Sequence, residues 1–208
     1  SVIQLVRHLR GGEQAPVKVI LTTERTLEEV AAKVSRFIEP DSQSLKTLFF
    51  DEIYLSKIGY NIDNLMSVFI PNTYEVYWNL SPEAFMERML LEHKNFWKQN
   101  SRLAKAKAMG MTPEEVYTLA SIVEKETLSN SEKPTIAGTY LNRIKIGMRL
   151  QADPTVVFAT RDFATKRVTN AHTSFDSPFN TYMYAGLPPG PIAMASITSI
   201  DAVLNHDK

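Results

Sequence analysis

The stretch TPEEVYTLASIVEKET, residues 112–127, carries the clearest helix signal in the chain and ends in an unusual way. Thr112 is a typical N-cap, and the proline and glutamates that follow it suit the first turn of a helix. Apolar residues then recur at helical spacing, so one stripe of this helix is expected to face a core. The helix closes on two acids, Glu124 and Glu126, although the partial negative charge at a helix C-terminus disfavours carboxylates there. A function for one of these acids is therefore a hypothesis that the sequence itself raises.

The two glutamates are expected on different faces of this helix, because successive residues are turned by 100°. Glu126 lies one turn beyond Ile122 and Val123, at the edge of the apolar stripe, whereas Glu124 lies on the opposite margin. Partial desolvation and the helix dipole would both favour the protonated form of Glu126, which makes it a candidate general acid. The alternative is that both acids are solvated surface residues flanking Lys125 at a frayed helix end.

The composition excludes several classes of function. The chain has 208 residues, a length typical of one domain or of one domain with a small addition. The chain has 23 basic residues (lysine and arginine) and 23 acidic residues (aspartate and glutamate), so it lacks the basic surplus of a nucleic-acid-binding protein. Cysteine is absent, which removes disulfides, thiol nucleophiles and cysteine-bound metals. No apolar run is as long as a membrane helix, and the first residues carry neither a signal peptide nor a methionine, which we interpret as a boundary within a longer protein.

The remaining patterns predict an α+β fold, mostly helical with small β-sheet elements. Strands are predicted for PVKVIL at 16–21 and TYEVYW at 73–78, with further short strands after Gly147. Helices are predicted in six places, by periodicity and by caps: Val2 to Leu9 before Gly11 and Gly12, from Thr26, in short pieces over 41–60 ending at Gly59, from Ser81 to about Ala108, over 134–146, and a short one opening at Thr155 after Asp153 as N-cap.

Several polar and aromatic residues outside the glutamate helix could bind a ligand, and each also has a structural explanation. Tyr74 and Tyr77 could stack on a ligand or close the edge of a core. Tyr182 raises the same two possibilities, while Asn142 and Gln151 could simply satisfy backbone groups. The turn GLPPGP at 186–191 has little conformational freedom, which suits the wall of a binding site.

Three separated segments together resemble the YceG-like family of endolytic murein transglycosylases. They are LASIVEKET at 119–127, IAGTYLNRIKIGMRLQADPTVVF at 136–158 and NTYMYAGLPPGPIA at 180–193, and their order and approximate spacing match the family pattern. FIPNTYEVYWNLSPE at 69–83 is similar to an upstream family segment, so the resemblance covers about Thr26 to Asn205. Residues 158–177 depart from the family pattern.

The resemblance implies two parts within this chain. Residues 1–20 would be the C-terminal remnant of an N-terminal LysM-like module, and residues 21–208 a YceG-like catalytic domain with a truncated C-terminal end. Family members are anchored by a single N-terminal membrane helix, absent from this chain, and act in the periplasm or outside the membrane. Peptidoglycan strands, and possible complexes of wall synthesis, are the implied partners.

The implied reaction is cleavage of the β-1,4 bond between N-acetylmuramic acid and N-acetylglucosamine within glycan strands, leaving 1,6-anhydro ends and terminating glycan polymerisation. The family's essential glutamate matches Glu126, which would act as general acid and then general base, and Glu124 is the reserve assignment. The implied sugar-binding residues are Asn142, Gln151, Asp153, Thr155, Asn180, Tyr182, Gly186 and Pro188.

Two other functions remain open at this point. A noncatalytic peptidoglycan-binding domain would use the same cleft. An aminodeoxychorismate lyase would need pyridoxal phosphate with a Schiff-base lysine, for which no suitable lysine or glycine-rich loop is recognisable. No cofactor is expected, and no metal site either, because His8, His93, His172 and His206 are scattered without ligand spacing.

Overall fold

The computed structural model describes residues 2, 3, 6 and 14–207. Strands β1 (Val17–Leu21) and β2 (Asn72–Val76) pair antiparallel with Val19 opposite Tyr74. Their inward-facing residues are buried in alternation, as the period of a strand requires. Both strands predicted from the sequence are confirmed, whereas the predicted helix from Val2 to Leu9 with caps at Gly11 and Gly12 falls largely outside the described residues.

The rest of the described chain is helical, which confirms the predicted α+β class. The helices are α1 (Leu27–Val34), α2 (Ser42–Phe49), α3 (Glu52–Ile58), α4 (Pro82–Lys98), α5 (Arg102–Ala108), α6 (Pro113–Glu126), α7 (Lys133–Lys145), α8 (Asp153–Thr160), α9 (Asn170–Thr173) and α10 (Ile197–Leu204). Short 3-10 turns occur at Leu65–Val68 and Gln99–Ser101. Among the described helices, none combines the length and the apolar character that crossing a membrane would require.

Helix α6 is the central element of the second half of the molecule. It starts with the predicted capping box, in which Thr112 and Glu115 satisfy each other's backbone N–H groups. All residues from Val116 to Val123 are buried, so the prediction of a single apolar stripe underestimated how completely the helix is covered. Its buried polar side chains form hydrogen bonds with adjacent backbone segments: the Tyr117 hydroxyl donates to the carbonyl of Phe69 at 2.6 Å.

The buried apolar residues form two clusters, and the chain passes from one to the other, for example between Phe69 and Ile70. The first lies between the sheet, α1 to α3 and the first part of α4, with Phe49, Leu55 and Phe85 fully covered. The second surrounds α6 and includes residues of α7, α8 and α10. Ile122 and Val123, one turn before Glu126, belong to this second cluster. The predicted module boundary at residue 20 falls inside β1, whose Val19 and Leu21 pack in the first cluster.

Three sequence predictions of secondary structure are wrong. The long helix from Ser81 is broken between α4 and α5, because Asn100 and Ser101 adopt left-handed backbone angles with φ of 53° and 58°. After Gly147 the described chain forms helices and loops in place of the predicted strands. Asp153 is the first residue of α8 and leaves the N-cap position to Ala152, so its carboxylate is not used as a cap.

Candidate active site

Glu126 is the last residue of α6, and its exposed side chain lines a large cavity. The cavity has a volume of about 550 Å³. Asp153 and Pro154 at the start of α8 form part of its wall, and so does Ile192, just after the GLPPGP turn. Helical geometry predicts that Ile122 and Val123 partly cover Glu126, but this expectation is wrong: those two side chains are buried in the core, and the Glu126 side chain is exposed at the cavity.

Two tyrosines lie near Glu126: Tyr140 on α7, and Tyr182 on the chain after α9. Burial raises the pKa of Tyr140, and the charge of the nearby Glu126 carboxylate raises it further. Burial also raises the pKa of Tyr182 to about 12, with added contributions from Asp153 and Glu126. Both phenols therefore stay protonated at neutral pH; the Tyr140 hydroxyl is available as a hydrogen-bond donor beside the acid, whereas the single proton of the Tyr182 hydroxyl is donated to Asp153.

Glu124 has different surroundings, although it is only two residues away. Its Oε2 atom accepts hydrogen bonds from the hydroxyls of Ser196 and Ser199 and from the ammonium of Lys133 at 3.1 Å. Burial opposes ionisation of Glu124, but these donors outweigh it and lower the pKa below its ordinary value. The two acids thus lie on different faces, as the helical geometry predicts, and Glu124 is an ionised structural anchor.

Three of the predicted sugar-binding residues come together next to the cavity. The Asp153 carboxylate accepts a hydrogen bond from the Tyr182 hydroxyl, and Asp153 itself lines the cavity. Thr155 is fully buried, and its hydroxyl donates to the carbonyl of Ala152 at 2.7 Å. Thr155 therefore fixes the start of α8, while Asp153 and Tyr182 carry the groups that face the cavity region.

Asn180 is fully buried and has an architectural role in the structure. Its amide nitrogen donates to the carbonyls of Thr173 at 3.1 Å and Phe175 at 2.7 Å. Its amide oxygen accepts from the backbone N–H of Tyr182 at 2.9 Å. The residue thereby ties the segment after α9 to the chain that presents Tyr182.

The other predicted sugar-binding residues do not line this cavity within the described part of the chain. Asn142 is exposed on α7, and Gln151 is exposed with a left-handed φ of 54° just before α8. Gly186 adopts a φ of +88°, which a side chain would strain. Pro188 borders a separate cavity together with Thr112 and Thr118.

Sequence reasoning missed Tyr140 and the cations around the cavity. Tyr140 follows the buried Ala137 on α7 at helical spacing, so the periodicity of that helix could have revealed it. Arg25, Lys166 and Arg167 also line the cavity, and no local pattern links them to Glu126. Within the described residues, no three His, Asp or Glu side chains are close enough to hold a metal ion together.

Comparison with known proteins supplies the family. The chain is 30% identical over 190 residues to the endolytic murein transglycosylase of Bacillus subtilis (strain 168), covering 89% of this chain and 51% of the relative. The enzyme of the same name from Streptococcus pneumoniae (strain D39) is 26% identical over 239 residues, covering 100% of this chain and 43% of the relative. The chain thus spans about half the length of the curated relatives it matches.

A solved structure and a family model agree with these relatives. The crystal structure of a YceG-like protein from Listeria monocytogenes superposes with a TM-score of 0.78 at 26% identity, covering 100% of this chain and 73% of the other. The model of the YceG-like family matches residues 1–208. Because the match extends over the whole sequence, this chain belongs to the YceG-like family.

Proposed function

We propose that this chain contains the catalytic region of an endolytic murein transglycosylase and that Glu126 is its acid and base. The observation that carries the proposal is the contrast between two neighbouring glutamates. Glu124 is ionised and held by Ser196, Ser199 and Lys133, whereas Glu126 extends into a large cavity beside two protonated tyrosines. The names of the bacterial relatives support the same reaction.

In the proposed reaction a single carboxyl group performs both proton transfers. Glu126 donates its proton to the oxygen that links C1 of N-acetylmuramic acid to C4 of N-acetylglucosamine, and the C1–O bond breaks. The C6 hydroxyl of the muramyl residue then bonds to C1, and its proton passes to Glu126. The products are a free C4 hydroxyl and a 1,6-anhydro ring, with no water consumed and the acid restored.

The neighbouring tyrosines have a positioning role in this proposal. The protonated hydroxyl of Tyr140 can donate to the carboxyl of Glu126 or to a sugar hydroxyl, and the Tyr182 oxygen, whose proton is donated to Asp153, can accept from a sugar hydroxyl. Asp153 fixes the orientation of Tyr182 through its hydrogen bond. Six further residues remain proposed contributors to the sugar-binding region, some of them through the backbone they support. They are Asn142, Gln151, Thr155, Asn180, Gly186 and Pro188.

The location and partners of the protein follow from the same proposal. A chain that cleaves peptidoglycan acts outside the cytoplasmic membrane, and we infer a single membrane anchor elsewhere in the full-length protein. Cleavage within nascent strands would terminate glycan polymerisation, which makes wall-synthesis complexes the proposed protein partners. These inferences rest on the family resemblance and on the names of the relatives.

The test is product analysis with the Glu126→Gln variant. Purified sacculi are digested with the wild-type protein and the variant, and the muropeptides are identified by mass. We expect 1,6-anhydro muropeptides from the wild type and at least a hundredfold fewer from the variant, since a general acid contributes roughly 10²–10⁴-fold. Equal yields would remove Glu126 from the mechanism. Reducing ends in place of anhydro ends would indicate a hydrolase, and sugar binding without cleavage a noncatalytic domain.

A further inference from the structure

The cavity beside Glu126 carries more positive than negative charge. Four cationic side chains line it: Arg25, Lys125, Lys166 and Arg167. Glu126 and Asp153 are the only acids in its lining among the described residues, and Asp153 already accepts a hydrogen bond from Tyr182. A cleft lined mainly by positively charged side chains raises the local concentration of anions, so this cavity is suited to an anionic ligand.

Within the described part of the chain, none of these four cations forms a direct ion pair with an acid. Lys125 is half-buried; burial lowers its pKa and the charge of Arg25 lowers it further, while the more remote charges of Glu124, Glu29 and Glu24 raise it. Arg25 and Lys125 thus line the same cavity and repel each other, an arrangement that an anion between them would stabilise.

The wall is built from segments that are distant in sequence. Arg25 follows β1, and its guanidinium carbon lies 5.2 Å from the centre of the Phe163 ring. Phe163 belongs to the same stretch as Lys166 and Arg167, between α8 and α9, where the sequence departs from the family pattern. Asn180 holds the end of this stretch through its bonds to Thr173 and Phe175.

We propose that this cationic wall binds the carboxylates of the peptide stem on the muramyl residue that Glu126 acts on. The inference rests on the proposed function, because it takes peptidoglycan as the substrate. The stem starts from C3 of the same sugar ring whose C1 is attacked, so it must leave the site close to Glu126. Lys125, the residue next to Glu126, is then placed to pair with it, together with the other three arginine and lysine side chains that line the cavity.

The cavity lining also fits a peptide better than a bare sugar. Val157, Phe158 and Phe163 add apolar surface between the cations. A short peptide with methyl side chains and carboxylates matches this mixture of apolar and cationic groups. Removal of the stems frees a lactyl carboxylate on each muramyl ring, which is an uncharged amide in the intact strand, so the two sources of carboxylate must be separated by experiment.

The experiment compares three proteins on two substrates. The proteins are the wild type, the double variant Lys166→Gln/Arg167→Gln, and the control Lys94→Gln/Lys98→Gln, which removes the same charge from exposed positions on α4. The substrates are soluble glycan strands with intact stems and the same strands after removal of the stems by an amidase. The measured quantity is kcat/KM for release of anhydro ends on each substrate.

We expect the ratio of kcat/KM on intact strands to that on stripped strands to fall about 3- to 30-fold in the Lys166/Arg167 variant, as expected for the loss of two partly screened charges. The control variant keeps the wild-type ratio. An unchanged ratio in the Lys166/Arg167 variant, including an equal loss on both substrates, overturns the stem assignment, and a loss confined to the stripped strands assigns the wall to the lactyl carboxylate instead.

A binding measurement keeps the inference separate from catalysis. In the Glu126→Gln background, calorimetry with a disaccharide tetrapeptide gives the affinity at low and at high salt. Addition of Lys166→Gln/Arg167→Gln should weaken binding about 3- to 30-fold at low salt and less at high salt, where charges are screened. Equal affinities overturn the inference even if the wild type cleaves glycan, and weaker binding supports it even if no cleavage is found.

Discussion

Glu124 Oε2 accepts a hydrogen bond from the Ser199 hydroxyl with 2.5 Å between the two oxygens, which joins the end of α6 to the first turn of α10. Lys133, the first residue of α7, pairs with the same oxygen at 3.1 Å. The carboxylate therefore lies at the N-terminal ends of two other helices, where partial positive charge favours it. This explains how α6 can end on an acid that its own dipole disfavours.

The two glutamates should separate stability from activity. Glu124→Gln leaves the buried ammonium of Lys133 without its carboxylate, so we expect the free energy of unfolding to fall by about 2–4 kcal/mol. Glu126→Gln removes the same charge from an exposed position and should change it by less than about 0.5 kcal/mol, while it abolishes anhydro product. Urea unfolding of both variants, beside the product assay, measures this. Equal destabilisation by the two substitutions would contradict the anchor role of Glu124.

The stabilising effect of Glu124 should depend on pH with a defined sign. Its pKa is lower in the folded protein than its ordinary value of 4.5, so its contribution is complete above that value and is lost as the pH falls through the folded pKa. The difference in unfolding free energy between the wild type and Glu124→Gln should therefore shrink below about pH 4.5. A difference that stays constant down to pH 3 would show that the charge of Glu124 is not what stabilises the fold.

Tyr140 offers a test of the surroundings of Glu126. Tyr140→Phe removes one hydroxyl and keeps the buried ring, so we expect about a tenfold lower kcat with a small change in melting temperature. Tyr184→Phe is the matched control. Tyr184 is exposed, its hydroxyl donates a hydrogen bond of 2.7 Å to Asp176, and neither residue lines the cavity. If both variants lost activity equally, or neither did, the Tyr140 hydroxyl would have no part in the reaction.

Local chemistry in the sequence was enough to predict most helix starts. Thr26, Ser81 and Thr112 each cap a helix with a side-chain oxygen in the structure, because N-capping depends only on residues within one turn. Gly59 ends α3 with a left-handed φ of 83° for the same local reason. The break at Asn100 had only a weak marker, since neither glycine nor proline is present there, although asparagine adopts a left-handed φ more readily than most residues.

The candidate site was predictable only in part, because its walls come from distant segments. The different faces of Glu124 and Glu126 followed from helical geometry and are seen in the structure. Arg25 and Lys125 line the same cavity, and the Met194 N–H donates to the carbonyl of Glu24 at 2.8 Å, which joins the chain just before Arg25 to the segment that follows GLPPGP. Periodicity carries no information about such contacts, so the cationic wall could not be derived from local patterns.

Gly190 should be intolerant of any side chain. A Cβ atom at this position would lie 1.9 Å from the carbonyl oxygen of Asp63, a backbone atom that cannot move away without displacing its loop. We expect Gly190→Ala to lower the free energy of unfolding by roughly 2–3 kcal/mol through overpacking. Gly147→Ala is the control for backbone strain, because φ there is +70° and nothing lies within 4 Å of the added atom, whereas Gly190 has no positive φ. Chemical denaturation in which Gly190→Ala cost no more than Gly147→Ala would contradict the predicted clash with the Asp63 carbonyl.

His93 should make the protein less stable between pH 6.5 and 4. Burial lowers the pKa of His93 from its ordinary 6.5 to about 4, and its Nε2 atom accepts a hydrogen bond from the Trp97 indole at 2.9 Å. In this window the unfolded chain binds a proton that the folded protein excludes, so stability falls as the pH falls, by on the order of 3 kcal/mol in total. His93→Gln keeps an acceptor but does not titrate, and should remove that part of the slope. Parallel curves of unfolding free energy against pH for the two proteins would show that His93 is protonated in the folded state.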